Sequence, residues 1–298
     1  MNDESVQLLW DALQRTEGDI PWSAMGAFAE ALAAEPGLIE SLLNAYDEAR
    51  EAIHEKGSYV HLYVPAVFAL AAPKLDDRRR QEIGESLIAR LMEAGEQDDH
   101  LMMEILTAAC GAMGPVILPL VFGVVIDEVA SSNTWDQLWG LTKLAVGSDP
   151  ASQDKVVAAC VSLLERVDSD EVECERGVEA AWTLASLGRT EHVDLLRRLE
   201  LQSRLTLAYG DYSGARQALE EHRDSPLPQE LWELSVRDWF EPRWRRTRDW
   251  LVMRDCGTRN WEALQAAYAA EPFASRIPIV EQSPKTARKD SRCATIRS

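Results

Sequence analysis

The most constraining feature of this chain is a recurring three-and-four spacing of apolar residues. Leu38, Ile39, Leu42, Leu43, Tyr46 and Ile53 fall on one helical face, with Glu40, Asn44, Asp47, Glu48 and Glu51 between them. Val156, Val157, Cys160, Leu163, Leu164 and Val167 repeat the pattern. No sustained alternation of apolar and polar residues is flanked by hairpin turns, so strands are not expected to carry the fold. Boundaries are marked in places. Thr134-Trp135-Asp136-Gln137 has the form of a capping box, with a hydroxyl for a backbone N–H and a Gln reaching back. Gly147 and Gly188 stand where helices should end, and Pro21, Pro36, Pro73 and Pro150 punctuate further.

Aligning the most apolar helices reveals a weak internal repeat. They begin near Leu62, Leu101, Trp135 and Gly177 and end near Pro73, Gly114, Ser148 and Gly188, with end-to-end offsets of 41, 34 and 40 residues. Second amphipathic helices follow at Arg79 to Leu91, Ala151 to Val167 and Glu191 to Leu199. A helix pair recurring at roughly 40 residues has the period of HEAT and armadillo arrays, whose pairs bury their faces against one another. The expected fold is therefore all-α, a HEAT/armadillo-like solenoid; the alternative is a non-repetitive bundle with even helix lengths.

Charge divides the chain. Of 298 residues, 50 are acidic and 31 are Lys or Arg, a net −19, and 46% are apolar. The apolar share excludes wholesale disorder, and the net anion excludes phosphate binding by the surface as a whole. The deficit is uneven: residues 1–231 carry 41 acids and 18 bases, whereas residues 232–298 carry 9 and 13. Half of the ten tryptophans (Trp232, Trp239, Trp244, Trp250 and Trp261) lie in thirty residues of that second part. We read residues 1–231 as an acidic helical array, 232–282 as a Trp/Arg-rich helical cap, and 283–298 as a basic tail expected to be disordered. Within the cap, Pro242 is expected to end one helix before Arg243-Trp244-Arg245-Arg246.

Signatures of chemistry are sparse. His100 and Glu104 share a helix face, and His54 and His61 are two turns apart, but two ligands on one helix are too few for zinc. Carboxylate pairs such as Glu171/Glu175 and Glu220/Glu221 read as solvated helix faces. There is no Gly-x-Ser-x-Gly elbow, and Gly111 and Gly114 have neither Walker nor dinucleotide spacing. No enzyme, cofactor or metal site is expected. Met1-Asn2-Asp3-Glu4 is acidic where a secretory leader is basic. The apolar stretch Val116 to Ile126 is short for a bilayer and interrupted by Pro119, so a buried helix is expected there. Five scattered cysteines (Cys110, Cys160, Cys174, Cys256 and Cys293) match no disulfide framework. A cytoplasmic protein without a membrane partner is expected.

Three stretches carry a family resemblance. Tyr59-Val-His61-Leu-Tyr63-Val-Pro-Ala-Val-Phe68, Met103-Glu-Ile-Leu-Thr-Ala-Ala-Cys110-Gly and Trp239-Phe-Glu241-Pro242-Arg243-Trp244 resemble an uncharacterised bacterial family of HEAT-like proteins. The resemblance spans most of residues 20–270 through helical pattern and short motifs. Members of that family often end in a SEC-C motif, a small cysteine-rich zinc-binding tail. Its usual lead-in is Pro-Lys-x-Gly-Arg-Asn-Asp-Pro, followed by Cys-Pro-Cys-Gly-Ser-Gly-Lys-Lys. This chain matches the lead-in at Pro284, Lys285, Arg288 and Asp290, but Arg292 and Ala294 occupy the cysteine positions, with Cys293 between them. One thiolate cannot hold zinc, so the family's metal does not carry over. The tail reads either as a degenerate or frameshifted SEC-C motif or as an ordinary basic segment.

The expected function is a non-enzymatic scaffold whose acidic groove binds a protein or peptide partner, with Trp135, Trp139 and Trp182 on the inner helices as candidate anchors. The alternative is a nucleic-acid- or ribosome-associated factor, confined to the basic C-terminal region. It would use Arg243, Arg245 and Arg246, with further bases up to Arg254 and from Lys285 to Arg297. A hydrolase assembled from residues distant in sequence is a third reading.

Overall fold

Apolar periodicity of 3.6 residues can be satisfied only by helices that bury one stripe each, and helices are what form. The computed structural model describes residues 10–11, 20–35, 37–51, 60–126, 149–206, 212–221 and 235–245, together with Thr134, Gln137, Leu138, Trp139, Leu141, Thr142 and Ala145. No strand occurs among the described residues. The chain divides into two compact units, Met1–Glu233 and Leu234–Ser298.

In the first unit, α1 (Trp22–Ala34), α2 (Leu38–Glu51), α3 (Val60–Ala71), α4 (Asp77–Glu96), α5 (His100–Ala112) and α6 (Leu118–Ile126) are followed by helical residues between Thr134 and Ala145. Then come α7 (Pro150–Asp168), α8 (Val178–Ser186), α9 (Val193–Thr206) and α10 (Tyr212–Glu221). Helices pack on sequence neighbours and on next neighbours. Pairs of the first kind are α2 with α3, α4 with α5, α7 with α8 and α9 with α10; of the second kind, α1 with α3, α3 with α5, α7 with α9 and α8 with α10.

α3 is the centre of the amino-terminal half. Its sequence Val-His-Leu-Tyr-Val-Pro-Ala-Val-Phe-Ala-Leu-Ala has no polar stripe, and it buries every residue except Leu70. α5 follows suit, burying Met102, Met103 and the run from Ile105 to Gly111. No residue of α3, α5 or α8 is fully exposed, so the exposed surface of this unit is supplied by their neighbours. α7 buries the six residues its periodicity marks, Val156, Val157, Cys160, Leu163, Leu164 and Val167.

Aspartates start three of the helices. Asp76 accepts from Arg79 N–H at 2.9 Å, Asp99 from Met102 N–H at 3.2 Å and Asp149 from Ser152 N–H at 3.0 Å. Each satisfies an amide that the first helical turn leaves unpaired. Asp149 also accepts from the Ser152 hydroxyl, and these two bonds hold its carboxyl below the usual carboxylate range. A lowered native pKa means that the cap stabilises above the unfolded-state pKa and is lost as pH falls through the native value. Pro150 follows at the first helical position, where no N–H is needed.

Thr134 is helical and buried, and the Gln137 side-chain oxygen accepts from the Thr107 hydroxyl on α5 at 3.2 Å; residues 133, 135 and 136, on which the expected capping box depends, lie outside the described residues. Three sequence expectations need correction. Pro119 does not interrupt an apolar run; it sits in the first turn of α6, after a tight turn at Pro115–Ile117. Nor is α6 wholly buried, since Pro119 and Gly123 are exposed. In the second unit, a helix over residues 236–245 (α11) runs through Pro242. Its Ser235 hydroxyl and N–H both donate to Asp238, and the carbonyl that loses its partner to Pro242 belongs to that exposed residue. Gly188, by contrast, takes the left-handed conformation (φ 64°) expected of a helix-ending glycine, while Gly147 lies outside the described residues.

No single helix among the described residues is long and apolar enough to cross a membrane. The one apolar pair, α5 with Pro115–Val124, is bent by 107°, and α5 is buried by packing. Cys110 and Cys160 are buried and Cys174 half-buried, none of the three in a disulfide, and burial pushes the Cys110 thiol well above its ordinary pKa. Native protein treated with a thiol-specific chromophore at neutral pH is therefore expected to show Cys110 and Cys160 unreactive until denaturant is added. Peptide mapping by mass spectrometry reads this directly, and rapid native labelling of Cys110 would contradict the packing of α5.

Candidate partner-binding surface

Two adjacent helices with opposite faces of different chemistry define the surface. α2 buries Leu38, Leu42, Tyr46 and Ala49 and exposes Glu40, Asn44, Glu48 and Glu51 on the other side. α4 buries Ile83, Leu87, Ile88, Leu91 and Ala94 and exposes Arg78, Glu82, Glu85, Ala89, Glu93 and Glu96, with Arg78 paired to Glu82 at 3.0 Å. Both sets follow the three-and-four rule, so each polar set is a continuous stripe.

Arg90 of α4 clamps the two helices together. Its Nε and Nη2 donate to the two Asp47 carboxylate oxygens of α2 at 2.9 and 2.5 Å, a bidentate pair joining positions 43 residues apart. The guanidinium carbon lies 5.4 Å from the centroid of the Tyr46 ring, within cation–π range. Arg50 of α2 donates to the Gln97 side chain at 2.7 Å and to the Tyr46 hydroxyl at 3.4 Å. Burial pushes Tyr46 up to about 12 against the opposing pull of Arg50, so the phenol stays neutral across the physiological range. α2 rests on α3, α4 on α5, and α3 and α5 pack together, while the side chains of Arg90 and Arg50 join α2 to the α4 region.

Charge on this surface is only partly neutralised. Cations pair with acids both here, as Arg78 with Glu82 and Arg90 with Asp47, and elsewhere in the unit. Arg216 pairs with Glu200 and Glu220 at 2.7 and 2.6 Å, Arg198 with Asp168 at 2.9 Å, and Arg189 with Asp154 at 2.7 Å. On the α2/α4 side, Glu40, Glu48, Glu51, Glu85, Glu93 and Glu96 make no ion pair among the described residues; Glu85 and Glu93 accept only from Gln81 and Gln97 of their own helix region. The exposed side of α7 is milder, with Ala151, Ala158 and Ser162 between Asp154, Lys155 and Glu165.

The tryptophans read as anchors fall differently. Trp139 is wholly buried, so it is a core residue with no surface to offer a partner. Trp182 is half-buried, and Trp135 lies outside the described residues. In α11, Arg243 is only 2% exposed and its Nη1 donates to the Trp239 carbonyl at 2.8 Å, while Arg245 pairs with Glu241. Trp239 and Trp244 are buried too, with Trp239 edge-on to Phe240 at 5.8 Å. Neither ring is open for a base to stack on, and of the candidate arginines Arg243 is buried and Arg245 is held by a carboxylate, while Arg237 of the same helix is exposed. Arg246 and everything from there onward, including the SEC-C-like segment, lie outside the described residues.

No cluster of three or more metal-ligating side chains occurs among the described residues. His100 pairs with Asp98 at 3.2 Å in the α4–α5 connection, where Asp98 is left-handed (φ 58°). Comparison of the chain with protein-family models, with curated proteins and with solved structures finds no match.

Proposed function

We propose that this chain is a non-enzymatic, HEAT-like helical-repeat scaffold that binds a basic protein or peptide segment through the carboxylate stripes of α2 and α4. The single observation behind this reading is the pair of acidic stripes on α2 and α4, in which Glu40, Glu48, Glu51, Glu85, Glu93 and Glu96 make no ion pair among the described residues, while Glu82 pairs with Arg78. A partly neutralised anionic face on rigid helices attracts and orients a cationic partner over roughly one Debye length, about 8–10 Å. Next-neighbour packing of α1 with α3, α3 with α5 and α8 with α10 supports the repeat architecture. The partner surface moves, in this reading, from the inner helices to the outer ones, because α3 and α5 have no exposed stripe. A cytoplasmic location fits three described cysteines that form no disulfide.

Immobilised protein incubated with native lysate is expected to retain proteins with Lys/Arg-rich segments that elute as salt rises. Mass spectrometry of eluates at low and high salt checks this. Retention of neutral or acidic proteins only, or retention indifferent to salt, contradicts the proposal. The proposed relation to SEC-C-bearing proteins is tested separately, by the gene's DNA past the Asp290 codon; a shifted frame there should encode Cys-x-Cys-Gly-Ser-Gly.

A further inference from the structure

We draw no further inference here: the strongest candidate beyond the fold, the pair of carboxylate stripes on α2 and α4, belongs to the surface already described, and nothing else in the structure shows what covers it.

Discussion

Phe68→Ala is expected to lower the stability of the amino-terminal unit by about 3–5 kcal/mol. Phe68 is wholly buried on α3, the helix that packs against α1, α2 and α5 together. Removing a wholly buried ring from the helix on which three others pack should incur both the transfer and the cavity penalty. Against a total of about 5–15 kcal/mol for an ordinary domain, that loss brings the unit near unfolding. Urea denaturation followed by helical circular dichroism reads the shift in midpoint. Leu201→Ala is the control: its side chain is 62% exposed, and the change should stay within about 0.5 kcal/mol. Equal effects from the two substitutions would mean that α3 is not the central helix.

Gly84→Ala should also destabilise, although alanine is the better helix former by about 1 kcal/mol. A Cβ at Gly84 would stand 2.4 Å from Ile117 Cγ2 and 3.5 Å from Ile117 Cβ. Ile117 is wholly buried in the turn on which α4 packs, so its β-branched side chain, the turn or the helix must shift to relieve the clash. Overpacking of this kind costs about 1–3 kcal/mol, which exceeds the propensity gain. Gly26→Ala supplies the opposite sign. Gly26 lies inside α1 with nothing within 4 Å of the added Cβ, so the same chemical change should stabilise by up to about 1 kcal/mol. Two glycine-to-alanine changes shifting the denaturation midpoint in opposite directions would separate packing from propensity. Shifts of the same sign would contradict the close approach of α4 to the Pro115–Ile117 turn.

Amphipathic helices were legible from residue order because their chemistry is periodic. The face of α7 could be read residue by residue, and in α2 the expected core residues Leu38, Leu42 and Tyr46 are buried while Ile39 and Leu43, at the stripe's margins, are half-buried. α3 defeats the same reasoning about orientation, since a helix apolar on all sides has no period to read. Trp139 shows the related difficulty: helical spacing places it on an apolar face without saying whether that face meets solvent or core. Prolines misled where context decides. Pro119 starts a helix and Pro242 lies within one, although both read as interruptions. The helix starts were more legible than the Thr134 motif implied, because Asp149-Pro150 combines a capping carboxylate with a first-turn proline. The Arg90–Asp47 clamp could not be picked out: among 50 acids, nothing in one sequence singles out a partner 43 residues away.

Under the proposed function, the Arg90–Asp47 pair joins the two helices that carry the acidic stripes. Fifty acids make a protein that attracts cations from any direction, and a net charge alone specifies no site. The proposed function is narrower: one face does the binding. Two variants of equal net charge separate the claims. In one, Glu40, Glu48, Glu51, Glu85, Glu93 and Glu96 are changed to Gln; in the other, the exposed Asp154, Glu165, Glu171, Glu173, Asp194 and Glu221 are changed to Asn or Gln. The decisive measurement is fluorescence anisotropy with a labelled Arg/Lys-rich peptide, titrated with each variant and the parent protein at about 0.1 M salt. Loss of the α2/α4 stripe should weaken binding about tenfold or more, equivalent to about 1.4 kcal/mol, while the second variant stays close to the parent. Equal weakening in both variants would contradict the account, leaving only a diffuse effect of total charge.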